Sequence, residues 1–299
     1  MHKFKKFILD PVPALLWRNQ EYRQEVKLGF CETCGFHHVF PYPSSELLSA
    51  YYKNYEMPTG QANLSETARL LARNLSKDAA ILDIGCGDGA FLSEMKKLGF
   101  DVLTGFDQSP GIERAKKLQI GRFYTSSVSQ FLENAEKMGG TDEDAIVMVN
   151  VLEHVPEPTV LLRRLHTVMK EGALLAITVP NDFNPLQQAF LKKKGHHPWF
   201  VCLPDHLNYF DFNSLVFALA NAGFQEIDRS ALYPLELFLL QDLDYIKDPD
   251  LGPIAHARRV QFEENIKSAG MTETLDHFYE TLASGGFGRD IMMIARKVF

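Results

Sequence analysis

The chain has 299 residues, a formal net charge of −7 and a pI near 5.8. This acidic balance argues against a nucleic-acid partner held mainly through its phosphates, because such proteins usually carry a basic face. No apolar run approaches the roughly 20 residues that a membrane span needs. Four cysteines are too few for a disulfide framework in a chain of this size, which favours a reducing, cytoplasmic compartment.

Residues 1–60 are rich in aromatic residues and proline and show no long helical period. They open like a secretory signal, but Asp10 and Pro11 interrupt the apolar run and no small-residue cleavage site follows. A helix is expected after Ser44 or Ser45, where a capping residue precedes apolar residues at helical spacing.

The same segment carries a C-x-x-C turn at Cys31 and Cys34, followed by His37 and His38. Such a turn with one histidine supplies three zinc ligands, whereas a structural zinc site normally takes four. No second turn of this kind follows, because the other two cysteines, Cys86 and Cys202, belong to other elements. The favoured interpretation is a degenerate ribbon without metal, and a zinc site is the alternative.

From residue 79 onward, short apolar runs alternate with helical patterns. The first run ends at Asp83 and Ile84, glycines follow at three alternating positions, and a helix is predicted from Ala90 to Leu98. Further strands are predicted at 101–107, 122–126, 144–150, 173–179 and 224–229, with a final strand at 290–298. Strands alternating with helices at this spacing form parallel βαβ units, so the predicted fold class is an α/β doubly wound sheet.

Two stretches interrupt this alternation. Residues 182–211 form a long insertion, expected to be irregular and to act as a lid or substrate wall, and residues 231–289 are mostly helical. We therefore predict an N-terminal extension at 1–60, a core at 61–230 that contains the insertion, a helical substrate or dimer region at 231–289, and a final core strand at 290–299. The helical region could also pair two copies of the chain in a homodimer.

The stretch from Asp83 to Gly89 resembles motif I of class I S-adenosylmethionine-dependent methyltransferases. A strand ending in Asp107, the strand end Asn150–Val155, and the segment Gly172–Pro180 follow in that family's order. The resemblance covers roughly residues 64–230 plus the last strand. It implies a seven-stranded sheet whose last strand is antiparallel, with S-adenosylmethionine as the bound cofactor. Residues 31–55 are similar to the second half of a zinc-ribbon segment that precedes a subset of small-molecule and sugar methyltransferases, and the first C-x-x-C turn of that segment is missing here.

The resemblance also implies which residues hold the cofactor. Asp107 would accept hydrogen bonds from two ribose hydroxyls, and glycines would let the amino-acid part approach bare backbone. Asp83 would order the loop or receive the ligand's ammonium group, while Gln108 and Val128 would flank the adenine. The predicted cofactor-binding set is Asp83, Gly85, Cys86, Gly87, Gly89, Asp107, Gln108, Val128 and Asn150.

Two histidines are the candidate catalytic residues. His154 follows a strand's carboxyl end, where ligands bind in such sheets, and His206 lies near the end of the insertion. Either could take a proton near neutral pH from a hydroxyl or an acidic carbon. For His154 the favoured interpretation is that it only braces its loop, and a catalytic role is the alternative. For His206, structural and functional roles weigh equally.

The predicted function is methyl transfer to oxygen or carbon of a small-molecule or carbohydrate-linked acceptor. One alternative is a metal-assisted aromatic or quinone O-methyltransferase, in which Asn150, Glu153, His154 and His206 would bind a divalent ion. Some small-RNA 2′-O-methyltransferases and ubiquinone O-methyltransferases carry a similar acid-x-x-Glu-His pattern that binds magnesium. Asn150 replaces the first carboxylate of that pattern, which weakens the affinity for a hard cation, so we predict no bound metal. Another alternative is an inactive cofactor-binding or scaffold protein. The basic run 192–194, with His196 and His197, could contact a phosphate, although a solvated loop is the favoured interpretation.

Overall fold

The computed structural model describes residues 2–53 and 64–298. The predicted boundary between residues 60 and 61 lies outside the described residues. The strands are β1 (Phe4–Leu9), β2 (Lys27–Cys31), β3 (Phe36–Phe40), β4 (Ala80–Ile84), β5 (Val102–Asp107), β6 (Arg122–Thr125), β7 (Ala145–Val149), β8 (Leu174–Pro180), β9 (Asn208–Tyr209), β10 (Phe224–Ala231) and β11 (Asp290–Lys297). The helices are α1 (Ser45–Lys53), α2 (Leu64–Ala72), α3 (Ala90–Lys97), α4 (Ile112–Lys117), α5 (Val128–Met138), α6 (Pro158–Val168), α7 (Pro185–Lys194), α8 (Phe212–Ala220), α9 (Glu236–Leu240), α10 (Leu251–Ser268) and α11 (Thr272–Ser284).

The larger sheet has seven strands in the order β10-β11-β8-β7-β4-β5-β6. β4 pairs in parallel with β5 on one side and β7 on the other, and β7 pairs in parallel with β8. β11 runs antiparallel to both of its neighbours, β8 and β10. The predicted fold class, including the antiparallel last strand, is confirmed.

The central strands are apolar on both faces because helices cover both sides of the sheet. In β7, Ile146 and Met148 pack with the leucines of α5, α6 and α8, whereas Ala145 and Val147 pack with α2 and α3. All seven residues of β8 are buried. Continuous apolar runs of this kind are typical of parallel strands buried between two helical layers.

A second sheet joins the N-terminal segment to the insertion. Its four strands lie in the order β1-β2-β3-β9, and β9 pairs antiparallel with β3 through His37–Tyr209 and His38–Asn208. The expectation that residues 182–211 are irregular is therefore wrong, because they contain α7 as well as β9. The side chain of Asn184 caps α7 by accepting hydrogen bonds from the next two available backbone amides.

The first helix begins where the sequence predicts it, with the Ser44 hydroxyl accepting a hydrogen bond from the amide of Leu47. The C-terminal helical region contains α9, α10 and α11, as expected, and α11 packs on β10. Among the described residues, no helix combines the length and the apolar character that crossing a bilayer requires.

Candidate functional site

The loop between β4 and α3 is built from backbone hydrogen bonds and three glycines in the left-handed region. Gly85, Gly87 and Gly89 have φ values of +74°, +54° and +81°. The amides of Gly85 and Cys86 both donate to the Phe106 carbonyl, at 2.9 and 3.1 Å. The loop is therefore anchored to the end of the neighbouring strand β5, and L-residues with a side chain would be strained at the glycine positions.

Neighbouring side chains leave no room for a side chain at Gly85. A Cβ atom on Gly85 would lie 2.6 Å from Cγ2 of Val151, which follows β7. The side chain of Cys86 turns inward, is 7% exposed and packs with Ile112 and Ala115 of α4. Burial, followed by the charge of Asp83, raises the pKa of the Cys86 thiol, so this cysteine is a packing residue of the loop.

Asp83, near the end of β4, lies directly beneath the loop. Its side chain is buried, and Oδ1 has no hydrogen-bond partner among the described residues. Burial, and secondarily the charge of Asp107, raises the pKa of Asp83 well above its usual value. A cation placed nearby would stabilise the ionised carboxylate, so Asp83 is suited to receive a positively charged ligand group.

Asp107, the last residue of β5, closes the other side of the loop. Its Oδ2 accepts a hydrogen bond from the Gly87 amide at 2.8 Å, and its Oδ1 accepts one from the Ser109 amide at 2.6 Å. A carboxylate offers about four acceptor positions, so each oxygen can accept a further hydroxyl proton. Gln108 is exposed beside it, and Val128, at the start of α5, is half-buried against the core.

Asn150 completes the set at the end of β7, where its φ is +53° and its amide donates to the Thr178 carbonyl at 2.8 Å. Because β5, β4 and β7 are adjacent parallel strands, their carboxyl ends bring Asp107, Asp83 and Asn150 to one edge of the sheet. This is the expected place for a ligand in a doubly wound sheet.

The two candidate histidines lie side by side at the same edge. The rings of His154 and His206 have centroids 5.0 Å apart and meet edge to face. His154 Nδ1 donates to the Asp205 carbonyl at 2.7 Å, so Nε2 carries the free lone pair. Burial lowers the pKa of His154 and lowers that of His206 well below its usual value, so both rings are neutral at neutral pH.

Comparison with known sequences decides the family. A profile described as a methyltransferase domain matches residues 55–228, more than half of the chain. The chain belongs to this methyltransferase domain family. The resemblance predicted from the glycine loop, Asp107 and the β7 end is thereby confirmed.

Curated relatives and solved structures are similar to parts of this chain. The ubiquinone biosynthesis O-methyltransferase of Xanthomonas axonopodis pv. citri is 32% identical over 106 residues, which cover 34% of this chain and 44% of the relative. That of Xanthomonas campestris pv. campestris strain B100 is 32% identical over 117 residues, covering 37% and 46%. The chain thus matches less than half the length of these relatives.

Among solved structures, the 1,6-didemethyltoxoflavin-N1-methyltransferase of Burkholderia thailandensis is 16% identical, with a TM-score of 0.49 over 85% of this chain and 87% of that one. A SAM-dependent methyltransferase of Archaeoglobus fulgidus is 17% identical, with a TM-score of 0.47 over 79% and 95%.

Sequence reasoning missed the residues that hold His154 in place. Arg18, from the N-terminal segment, donates from Nη1 to Asp205 Oδ2 at 2.7 Å, and Asp205 is buried. These two residues are 187 positions apart, so no local pattern indicates their pairing. Through its backbone carbonyl, Asp205 then fixes the orientation of His154.

A cleft of about 420 Å³ opens beside His206. Two guanidinium groups, Arg18 and Arg289, line it together with aromatic and apolar side chains. Arg289 lies 3.5 Å from Glu236 Oε1 and 4.0 Å from Asp182 Oδ1, both buried. Burial, opposed by Arg289, raises the pKa of Asp182 to about 7. The cleft is lined by Leu15, Leu16, Arg18, His196, His197, Trp199, Phe200, Val201, Cys202, His206, Ile246 and Arg289.

The basic run of the insertion divides between solvent and the cleft. Lys192 and Lys193 are exposed on α7. His196 lines the cleft and stacks on Phe190 with ring centroids 5.1 Å apart. Its Nε2 lies 3.1 Å from Asp244 Oδ2.

Proposed function

We propose that this chain transfers a methyl group from S-adenosylmethionine to an oxygen or carbon atom of a small-molecule or carbohydrate-linked acceptor. The observation that carries the proposal is the glycine loop held between Asp83 and Asp107 at adjacent strand ends. S-adenosylmethionine joins a nucleoside to an amino acid through a positive sulfonium. It would supply the electrophilic methyl group.

The residues at this edge fit the two ends of such a molecule. The remaining acceptor positions of Asp107 suit the two ribose hydroxyls. The buried, unpartnered Oδ1 of Asp83 suits the ammonium group. Space at Gly85 is already limited by Val151, so the loop admits a ligand only against bare backbone.

The acceptor would bind in the cleft beside His206. A volume of about 420 Å³ is in the range of small-molecule sites. Arg18 and Arg289 line the cleft, and the carboxylates of Asp205 and Glu236 beside them offset their charges, so the lining offers the acceptor polar groups rather than a net positive charge. His206, neutral because burial lowers its pKa, can take the proton that an acceptor hydroxyl loses.

His154 would serve as a positioning residue for this base. Its orientation is set by the Asp205 carbonyl, and its ring packs edge-on against His206. Much of the rate would come from holding acceptor and methyl donor in line at contact distance, since displacement at carbon depends strongly on geometry.

A second candidate function is metal-assisted O-methylation of an aromatic or quinol acceptor. Glu153 is buried, and neither of its carboxylate oxygens has a hydrogen-bond partner among the described residues. One ligand atom each from Glu153, His154 and His206 lies within 4.8 Å of the others. These atoms could hold a divalent ion, and the chain is similar to curated ubiquinone biosynthesis O-methyltransferases over about a third of its length.

Methyl transfer from labelled S-adenosylmethionine to a panel of sugar nucleotides, hydroxylated acids and catechols tests both candidates. The metal-assisted function predicts that Glu153→Gln abolishes transfer and that added Mg²⁺ raises the wild-type rate. The first function predicts transfer that does not depend on Mg²⁺. Binding of S-adenosylmethionine without transfer to any acceptor class would favour a scaffold role instead.

The remaining parts of the proposal concern organisation. The four free cysteines are consistent with a reducing cytoplasm. The division into an extension at 1–60, a core at 61–230, a helical region at 231–289 and a final strand at 290–299 stays a prediction. Association of two copies through the helical region also stays a prediction.

A further inference from the structure

A cluster of four metal-ligand side chains lies where the N-terminal sheet meets the methyltransferase core. His2, Cys31, Cys34 and His38 each place one ligand atom within 4.8 Å of the others. The sequence alone offered only three ligands, because His2 lies 29 residues before the C-x-x-C turn. The fourth ligand is supplied when β1 pairs with β2 and carries the N-terminus to the turn.

We propose that His2, Cys31, Cys34 and His38 form a structural zinc site. Two cysteines and two histidines are a common donor set for tetrahedral zinc. Zn–S bonds near 2.3 Å and Zn–N bonds near 2.0–2.1 Å would place sulfur and nitrogen about 3.6 Å apart. His2 Nδ1 lies 3.3 Å from Cys34 Sγ and 3.7 Å from Cys31 Sγ.

The orientation of the second histidine supports the same assignment. The side chain of His38 is fully buried, and its Nδ1 donates to the Val39 carbonyl at 2.8 Å. That hydrogen bond leaves a lone pair on Nε2, which has no hydrogen-bond partner among the described residues. A buried, unpartnered nitrogen is costly unless a ligand meets it, and a ring held by its other nitrogen is typical of metal-bound histidine.

The neighbouring histidine provides an internal contrast. His37 faces the other side of β3, where its ring stacks on Phe183 with centroids 4.1 Å apart. It is therefore no member of the cluster, although the sequence gives no reason to prefer His38 over His37. Both cysteines are free and buried, so the turn is not closed by a disulfide.

The zinc site would also brace the candidate active-site loop. The ring of His38 stacks on Tyr42 with centroids 5.1 Å apart and planes 13° apart. The Tyr42 hydroxyl donates to Asn208 Oδ1 at 2.8 Å, and Asn208 Nδ2 donates to the Val155 carbonyl at 2.8 Å. On the other side, Glu157 Oε1 lies 3.8 Å from His2 Nε2. Residues 152–157 are thus held from two directions by groups that contact the cluster.

The test uses the full chain with a C-terminal tag that contains no histidine, purified under reducing conditions. We expect one zinc per chain by elemental analysis, and X-ray absorption should fit two sulfur and two nitrogen ligands. His2→Ala should lower zinc affinity at least tenfold, and the matched control His37→Ala should retain it. Since the His2 side chain is 23% exposed, its removal leaves no closed cavity.

Cys34→Ser and the control Cys86→Ser extend the test to the sulfur ligands, since Cys86 packs against α4 and belongs to no candidate metal cluster among the described residues. Cobalt should give a thiolate charge-transfer band with wild type and with Cys86→Ser, and a weaker one with Cys34→Ser. Should Cys34→Ser fail to fold, the wild-type X-ray absorption decides. A metal-free wild type that binds neither zinc nor cobalt would overturn the proposal, as would a Cys31–Cys34 disulfide in the fresh protein or equal zinc affinity in the His2 and His37 variants.

Discussion

Replacing Gly85 by alanine should damage ligand binding more than it damages the fold. An L-residue in the left-handed region costs about 1–2 kcal/mol, and Gly85 has a φ of +74°. Gly172 also has a φ of +74°, but nothing lies within 4 Å of the Cβ that alanine would add there. Gly172→Ala therefore measures the conformational cost alone.

At Gly85 the added methyl group would also meet Val151 Cγ2 at 2.6 Å, so the loop or the valine must move. Movement of the loop would disturb the hydrogen bond from the Gly87 amide to Asp107. A displaced loop would also fit the ligand less well, and each hydrogen bond to a charged ligand group that is lost is worth about 1.5–3 kcal/mol, or roughly 10- to 150-fold in dissociation constant.

The assay compares thermal unfolding with calorimetric titration of S-adenosylmethionine for both variants. Gly172→Ala should lose about 2–8 °C in melting temperature, the value expected for about 1–2 kcal/mol, and Gly85→Ala should lose more because of the added contact with Val151. Only Gly85→Ala should bind the cofactor at least tenfold more weakly, and adding Val151→Ala should restore part of the affinity. Equal cofactor affinity in the Gly85 and Gly172 variants would refute the assignment of this loop to ligand binding.

Two further predictions concern titrating groups. Because burial lowers the pKa of His206, kcat/KM should be flat from about pH 7 upward and fall on the acid side. His206→Ala should reduce it by about 10²- to 10⁴-fold and remove that acid limb, and an unchanged pH profile would exclude this base. Burial raises the pKa of Asp182 to about 7 in the folded protein. Between about pH 4 and 7 the unfolded chain therefore binds fewer protons than the folded protein, and the free energy of unfolding should fall as the pH rises. Asp182→Asn should remove that dependence. The difference in free energy of unfolding between Asp182→Asn and wild type should therefore shift in favour of the variant by at most about 4 kcal/mol from pH 4 to pH 8. Denaturant unfolding at both pH values measures this shift, and the same pH dependence in the two proteins would contradict the prediction.

The parts of the fold that sequence predicts best are those with local signals. The strand β4, its glycine turn and the following helix α3 are adjacent in sequence, and each has a characteristic pattern of residues. Asp83 lies one residue before the carboxyl end of β4 and Asp107 ends the adjacent strand β5, so their proximity follows from parallel topology alone. The fold class was therefore predictable from the alternation of strands and helices.

The parts that sequence does not predict depend on contacts between distant segments. The strand β9 has two residues, and its register with β3 is visible only once the insertion is folded against the N-terminal sheet. The pairing of Arg18 with Asp205 and the approach of His2 to the C-x-x-C turn depend on the same association. None of these contacts has a periodicity or a spacing that a single sequence displays.

Calorimetric titration of the wild-type chain and of Asp107→Asn with S-adenosylmethionine tests the central claim most directly. Asp101→Asn is the matched control, because Asp101 precedes the other end of β5 and its side chain is 79% exposed. We predict one site per chain in wild type and control, with affinity at least tenfold weaker in Asp107→Asn. No binding by the wild-type chain, or equal affinity in all three proteins, would contradict the assignment of the β4–β5 edge as the cofactor site.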